Sequence, residues 1–282
     1  MTCQNCGHEN VSEARFCASC GNSLESSEVQ LDLRQTEQVP GDLQPRDLGD
    51  LLTETYNVYK RNFWVFLVIA TMPQGPLLVA SVSSGTGSLL FSLLGFLLIP
   101  LAAGATIYAV VQQHLSKVLT VGECFRYSFQ MVVMLTLAYI LVTLALIASA
   151  FLSLILVGIP LIFYLLVIWF FALHAIIIEG KSPISALRRS NDLVKGSWWR
   201  VFGIGVVFVL VMIGLFLVAL IPVGILTFLT PVLGSVFFAV ISTVLFPITY
   251  IAGTLIYIDL RVRKEGYNLD MMALEVRQPI RS

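Results

Sequence analysis

Cys3, Cys6, Cys17 and Cys20 form two Cys-x2-Cys pairs with ten residues between them. Four thiolates in two close pairs can close a tetrahedral sulfur shell, because each pair sits on a tight turn that points both sulfurs at one ion. Gly7 and Gly21 directly follow the pairs, where a left-handed backbone with open amides near sulfur is wanted. Zinc is the favoured ion, although sulfur ligands alone do not choose between zinc and iron. Two disulfides are the competing reading, and a reducing compartment disfavours them. His8 stands near the second cysteine, but with four thiolates available it reads as a solvated neighbour. A shell closed by thiolates leaves no position for a substrate, so the metal is expected to be structural. A segment this short has no core of its own, and structural zinc supplies roughly 10 to 16 kcal/mol that becomes folding energy.

The segments Cys3–Gln4–Asn5–Cys6–Gly7 and Arg15–Phe16–Cys17–Ala18–Ser19–Cys20–Gly21 resemble the minimal zinc ribbons found at the ends of many bacterial and archaeal membrane proteins. Nucleic acid is not an expected partner: the spacing between the pairs is shorter than in nucleic-acid-binding ribbons, and Arg15 is the only Lys or Arg before Arg34. The ribbon is placed at residues 1–24. Residues 25–46, rich in Glu, Gln, Ser and Asp, are expected to form a flexible acidic and polar tether.

Whatever the ribbon serves is carried by a chain that avoids charge. Three blocks, Asn62 to Ser116, Tyr127 to Ile178 and Val201 to Ile258, contain no Asp, Glu, Lys or Arg. Each has room for two crossings of a bilayer, since a crossing takes about 20 apolar residues. A charge at the bilayer centre costs roughly 2.5 to 3.5 kcal/mol, a penalty that explains the exclusion. With 57% hydrophobic and 12% charged residues, the composition is far from that of a soluble domain.

The fold class is therefore all-α integral membrane: six transmembrane helices as three hairpins, with short interfacial helices, in a membrane domain over residues 47–276 and a tail at 277–282. The expected spans are 63–82, 89–111, 132–156, 161–178, 201–221 and 235–258. Turns are expected at Ser83 to Ser88, Val157 to Pro160 and Pro222 to Gly234, where Ser, Gly and Pro punctuate the apolar runs. All Lys and Arg of this region lie outside the hairpin turns, so both termini are expected on the cytoplasmic side of the plasma membrane. The first residues are polar and Cys-rich rather than a signal peptide, which leaves the first span as its own insertion signal.

Asp47 to Asn62, Leu119 to Phe129 and Pro183 to Ser197 look like copies of one interfacial unit. Leu51, Val58 and Phe63–Trp64 align with Ala186, Leu193 and Trp198–Trp199, and Cys124 to Ser128 aligns with Ala186 to Ser190. In the third copy Ile184, Leu187, Asn191 and Val194 are expected on the apolar face, with Arg188, Arg189, Asp192 and Lys195 turned away. Lys60, Arg61, Arg188, Arg189, Lys195, Trp198, Trp199, Arg200, Arg261 and Arg263 are the candidate contacts for the interface or for anionic headgroups. Gly266 is placed to stop the last span, and Asn268 to cap a final short helix through Val276.

Tyr257 to Asp270, together with Pro183 to Arg200, resembles the glycerophosphoryl diester phosphodiesterase membrane-domain family over most of Leu48 to Glu275. In that family the membrane domain can be fused to a catalytic phosphodiesterase domain, and none is present in this sequence. No catalytic constellation or cofactor site is visible: His114, His174 and the lone Cys124 are isolated and read as packing residues. The spans hold no charge for a proton or ion relay. The expectation is a non-enzymatic scaffold or regulatory subunit that docks a protein partner through its ribbon. The alternatives are a handler of lipid or hydrophobic solute, in which Pro73, Pro76, Pro100, Pro231 and Pro247 open a path, and an accessory of glycerophosphodiester metabolism.

Overall fold

A computed structural model describes residues 2, 3, 5–11, 14, 16–22, 24, 43–153 and 158–277. The tether up to Asp42, residues 154–157 of the expected third span and second turn, and the tail beyond Arg277 lie outside the described residues.

Among the described residues the chain is helical and forms no strand; an isolated antiparallel bridge joins Thr2 to Glu9. The helices are α1 (Leu48–Arg61), α2 (Phe63–Val82), α3 (Gly85–His114), α4 (Val121–Gln130), α5 (Val132–Leu152), α6 (Gly158–Trp169), α7 (Ala172–Glu179), α8 (Pro183–Val194), α9 (Trp198–Leu229), α10 (Pro231–Glu265) and α11 (Leu269–Arg277). Six of these stretches are long and apolar enough to span a membrane, with α6 and α7 together making the fourth. They pair as α2 with α3, α5 with α6–α7, and α9 with α10.

The spans run past the expected limits where the chain can keep a helix going. The turn expected across Pro222 to Gly234 shrinks to Thr230, because α9 continues through Pro222 to Leu229. A proline removes one amide donor, but unwinding the rest of the turn in hydrocarbon would strand several more. Pro231 instead takes the first turn of α10, where its missing N–H costs nothing, and Thr230 caps that helix by accepting from the Leu233 amide at 3.2 Å. Pro73 and Pro76 likewise sit inside a continuous α2, and the turn after it is only Ser83–Ser84.

The fourth span, expected to be continuous over 161–178, breaks at Phe170–Phe171. Ser190 of α8 closes the break: its hydroxyl donates to the Ile168 carbonyl at 2.6 Å and accepts from the Phe171 amide at 3.2 Å. This contact also rotates α8 away from the expected facing. Its buried residues are Ala186, Ser190, Leu193 and Val194, while Ile184 is exposed and Arg189 turns partly inward.

The three short helices before the hairpins repeat one pattern of burial. Leu51, Cys124 and Ala186 are buried, and so are the hydroxyl residues four positions later, Thr55, Ser128 and Ser190. Val58, Met131 and Leu193 complete the stripe three residues further on. Ser128 donates to the Leu101 carbonyl of α3 at 2.8 Å, and Gly104 leaves the room, since a Cβ there would stand 2.5 Å from that hydroxyl. The core lies where these helices meet the C-terminal halves of α3, α7 and α10. In contrast, α9 buries only Val201 and Ile204, so its apolar length is left for lipid to cover.

Candidate metal centre and charged face

The cysteine pairs form two matching turns. Gly7 N–H donates to the Cys3 carbonyl and Gly21 N–H to the Cys17 carbonyl, both at 2.9 Å, and both glycines adopt positive φ, +71° and +76°. The amides of Cys3 and Cys17 in turn donate to the carbonyls of His8 and Asn22. This geometry brings all four Sγ atoms within 4.8 Å of one another. Cys3 and Cys20 Sγ are 3.7 Å apart, and Cys6 and Cys17 Sγ 3.5 Å. Sulfurs at the corners of a tetrahedron around zinc stand about 3.8 Å apart, given Zn–S bonds of about 2.3 Å. The residues present therefore fit the ion that the spacing implies.

The second layer of the site comes from two asparagines. Asn10 Nδ2 donates to Cys17 Sγ at 3.6 Å while its Oδ1 accepts from the Ala18 amide at 2.8 Å, and Asn5 Nδ2 reaches Cys20 Sγ at 3.8 Å. The thiols titrate unevenly. Partial burial opposes the Cys17 thiolate, but amides of Cys20 and Ser19 outweigh it and hold Cys17 down to about 6. At Cys6 the His8 amide favours the thiolate, yet bonds shared with Cys20 and Cys17 keep the proton there and push it up to about 12. His8 is exposed and outside the sulfur cluster.

The second arrangement gathers where the charge-free blocks end. Glu179 and Asp259 each follow a block directly, and both are buried, with side chains 7% and 0% exposed. Asp259 accepts from the Arg263 Nε at 3.0 Å, from Arg200 Nη2 at 3.2 Å and from the Arg46 amide at 2.7 Å. The Arg46 carbonyl accepts in return from Arg200 at 2.8 Å and Arg263 at 3.0 Å. So residues 43–46, expected at the end of the tether, are part of the packed face, and Leu43 is buried with them.

Glu179 holds Arg189 at 2.9 Å, lies 3.7 Å from Arg261 and accepts from the Tyr257 hydroxyl. Arg261 also pairs with Glu265 at 2.9 Å and Glu275 at 2.7 Å, and stacks over the Tyr267 ring at 3.7 Å. Burial opposes the Arg189 charge, but Glu265 and Glu179 more than offset it and raise its pKa. Asn268 caps α11 by accepting from the Met271 amide at 2.9 Å, which sets Glu275 in place.

The candidate interface residues thus divide. Arg189, Arg200, Arg261 and Arg263 are drawn into internal ion pairs, whereas Lys60, Arg61, Arg188 and Lys195 are exposed and make no ion pair among the described residues. Trp199 is 77% exposed, and Trp198 stacks on Phe202 with ring centroids 4.9 Å apart. The acids Glu179, Asp259, Glu265 and Glu275 escaped the sequence reading. For Glu179 and Asp259 the signal was present, since an acid directly at the end of an apolar span needs a partner close by.

His174 is packed among Phe170, Phe171 and Tyr257, and Cys124 is buried on the inner face of α4, where burial first and Glu123 second push its thiol up to about 12. Along the spans, α6, α9 and α10 leave a groove of about 770 Å³, lined by Phe163, Phe202, Met212, Phe216 and Phe246 with Gln74 at its wall.

Fold and site together define a multipass helical membrane protein bearing a zinc ribbon. Residues 2–24 match the zinc-ribbon domain. Residues 51–260 match the family described as Domain of unknown function (DUF7847), and the chain belongs to that family. Neither match is to the glycerophosphoryl diester phosphodiesterase membrane-domain family. No curated protein and no solved structure matches the chain.

Proposed function

We propose that this protein is a non-enzymatic membrane scaffold or regulatory subunit whose zinc ribbon docks a protein partner on the cytoplasmic side of the plasma membrane. The observation that carries it is the use of the buried acids: Glu179 and Asp259 are both committed to arginines, which leaves the charged face built for rigidity. The sulfur cluster supports the same reading, because a four-thiolate site holds shape rather than substrate. Bound zinc would be held by Cys3, Cys6, Cys17 and Cys20 and would supply folding energy to the ribbon. The orientation rests on the Lys and Arg gathered at one end of the hairpins.

The test is crosslinking in native cells followed by mass spectrometry, with wild type compared to Cys17→Ser, Cys20→Ser at equal membrane level. A defined protein captured by wild type and lost in the variant supports docking. Identical capture profiles count against it, and a reporter fused after Ser282 that reads on the far side of the membrane overturns the orientation.

A second reading, handling of lipid or a hydrophobic solute, is favoured by the groove of about 770 Å³ among α6, α9 and α10. Flux or exchange in reconstituted vesicles, lost on Gly205→Phe, supports it. A role beside glycerophosphodiester metabolism has only the sequence resemblance behind it.

A further inference from the structure

The two cysteine turns are copies in backbone but not in surroundings. Gly7 and Gly21 donate to the first cysteine of their pair in the same way, and both adopt the left-handed conformation. A Cβ on Gly7 would meet nothing within 4 Å, whereas on Gly21 it would stand 2.6 Å from Arg263 Nη1 and 3.3 Å from Cζ and Nη2 of the same side chain. The second turn therefore lies against the end of α10, and the first faces open space. Arg263 is short of partners for a buried cation: its side chain is 2% exposed, and Nη1 is buried without a hydrogen-bond partner. Arg200 Nε is buried and unpartnered as well. Among the described residues both arginines pair with Asp259 and with no other acid, so two guanidinium groups share one carboxylate. The cluster holds surplus positive charge away from water, a costly arrangement unless something negative lies close.

We propose that the ribbon docks on its own membrane domain through Arg263, and that metal loading controls the docking. A zinc ion held by four thiolates is a net anion, which complements the surplus charge at Arg200 and Arg263. Metal also folds the second turn, and only the folded turn presents the bare Cα of Gly21 to the guanidinium. Without metal the turn and the thiolate cluster are both lost, and the ribbon leaves the domain while remaining on its tether. One contact suffices because the attachment is intramolecular. The Arg46 carbonyl is bound by the same two arginines, so the end of the tether is fixed at the cluster and the ribbon stays at high local concentration. The coupling is reciprocal: if metal strengthens docking, docking strengthens metal binding by the same factor. None of this requires a protein partner for the ribbon.

The experiment is competition for zinc between the purified full-length protein in detergent and a chromophoric chelator. Arg263→Lys keeps a positive charge beside Asp259 but removes the Nη1 group, and should lower zinc affinity about tenfold, the ratio expected for one hydrogen bond to a charged group. Arg261→Lys, the same change in the neighbouring ion-pair network, should leave the affinity at the wild-type value. Gly7→Ala and Gly21→Ala put the same backbone strain into the two turns. A larger loss for Gly21→Ala therefore reads the contact with Arg263, and the gap should narrow when Arg263→Lys is added. Helical signal at the wild-type level shows that each variant is folded; if Arg263→Lys is not, the glycine comparison decides. The proposal is overturned by wild-type zinc affinity in folded Arg263→Lys, by an equal loss in Arg261→Lys, or by equal losses in the two glycine variants. No partner is present in this measurement, so its outcome is independent of whether crosslinking in cells captures one.

Discussion

Ser128 and Ser190 occupy the same position in α4 and α8, and each donates its hydroxyl to a main-chain carbonyl of a membrane-spanning helix, Leu101 for one and Ile168 for the other. The short helices are thereby pinned to the spans, and the pinning is polar where the surroundings are apolar. Ser190 has the larger task, since it also accepts from the Phe171 amide at the break between α6 and α7.

Replacing these serines should separate the two roles. Ser190→Ala leaves the Phe171 amide unpaired and is expected to cost about 1 to 3 kcal/mol, whereas Ser128→Ala loses only a donor and should cost about 1 kcal/mol. Thermal unfolding of the detergent-purified protein orders them, and an equal loss for both would show that the break needs no patch.

Gly104 should tolerate no side chain while Ser128 is in place. A Cβ would approach the Ser128 hydroxyl to 2.5 Å and Leu135 Cδ1 to 2.8 Å, so Gly104→Ala is expected to cost about 1 to 3 kcal/mol through overpacking. Combined with Ser128→Ala the cost should fall below the sum of the single changes. Strict additivity in that double-mutant cycle would mean the two residues do not meet.

Asp259→Asn should be among the most damaging single changes. It leaves Arg263, with a side chain 2% exposed, without its countercharge, and breaking such a pair costs about 3 to 5 kcal/mol. Glu265→Gln removes a partner that is 28% exposed and should cost clearly less. Comparing the unfolding temperatures of the two variants checks the ranking.

Cys124 should resist alkylation as long as the fold persists. Its pKa is raised by burial to about 12, so at pH 7 to 8 almost no thiolate forms, and labelling seen by peptide mass spectrometry should require unfolding. The sign follows from the neutral form being favoured in the fold. The stability that this thiol contributes is full below the ordinary thiol range and declines as pH rises from about 8.5 toward 12. Rapid labelling of native protein at pH 8 would contradict the burial.

Metal removal should act on the ribbon alone. Purified protein is expected to hold one zinc per chain, and chelation should expose residues 2–24 to protease while the helical signal of the membrane domain persists. Gly21→Ala should weaken metal retention, because Gly21 sits at φ +76° and a Cβ would stand 2.6 Å from Arg263 Nη1. Metal analysis of the intact chain decides, and full zinc content in that variant would show that the turn is not required.

Several features of this protein are local, and the sequence alone determined them. The metal ligands could be read because four cysteines at fixed spacing on two tight turns need little help from the rest of the chain. The spans could be read because a bilayer acts on composition directly, residue by residue; α2 begins and ends at the expected Phe63 and Val82. Even the threefold use of one short helix was visible, and the buried series Leu51, Cys124 and Ala186 follows that alignment. The tertiary structure decided what depends on residues far apart in the chain. Composition says that Pro222 can end a helix, but the need to satisfy backbone groups in hydrocarbon carries α9 on to Leu229. Periodicity says that α8 has an apolar face, but the break at Phe170–Phe171 draws Ser190 inward and turns Ile184 out. The pairing of Asp259 with Arg200 joins two helices, and its pairing with the Arg46 backbone spans most of the chain. No local pattern encodes it, because a buried charge is satisfied by whichever opposite group the packing brings near.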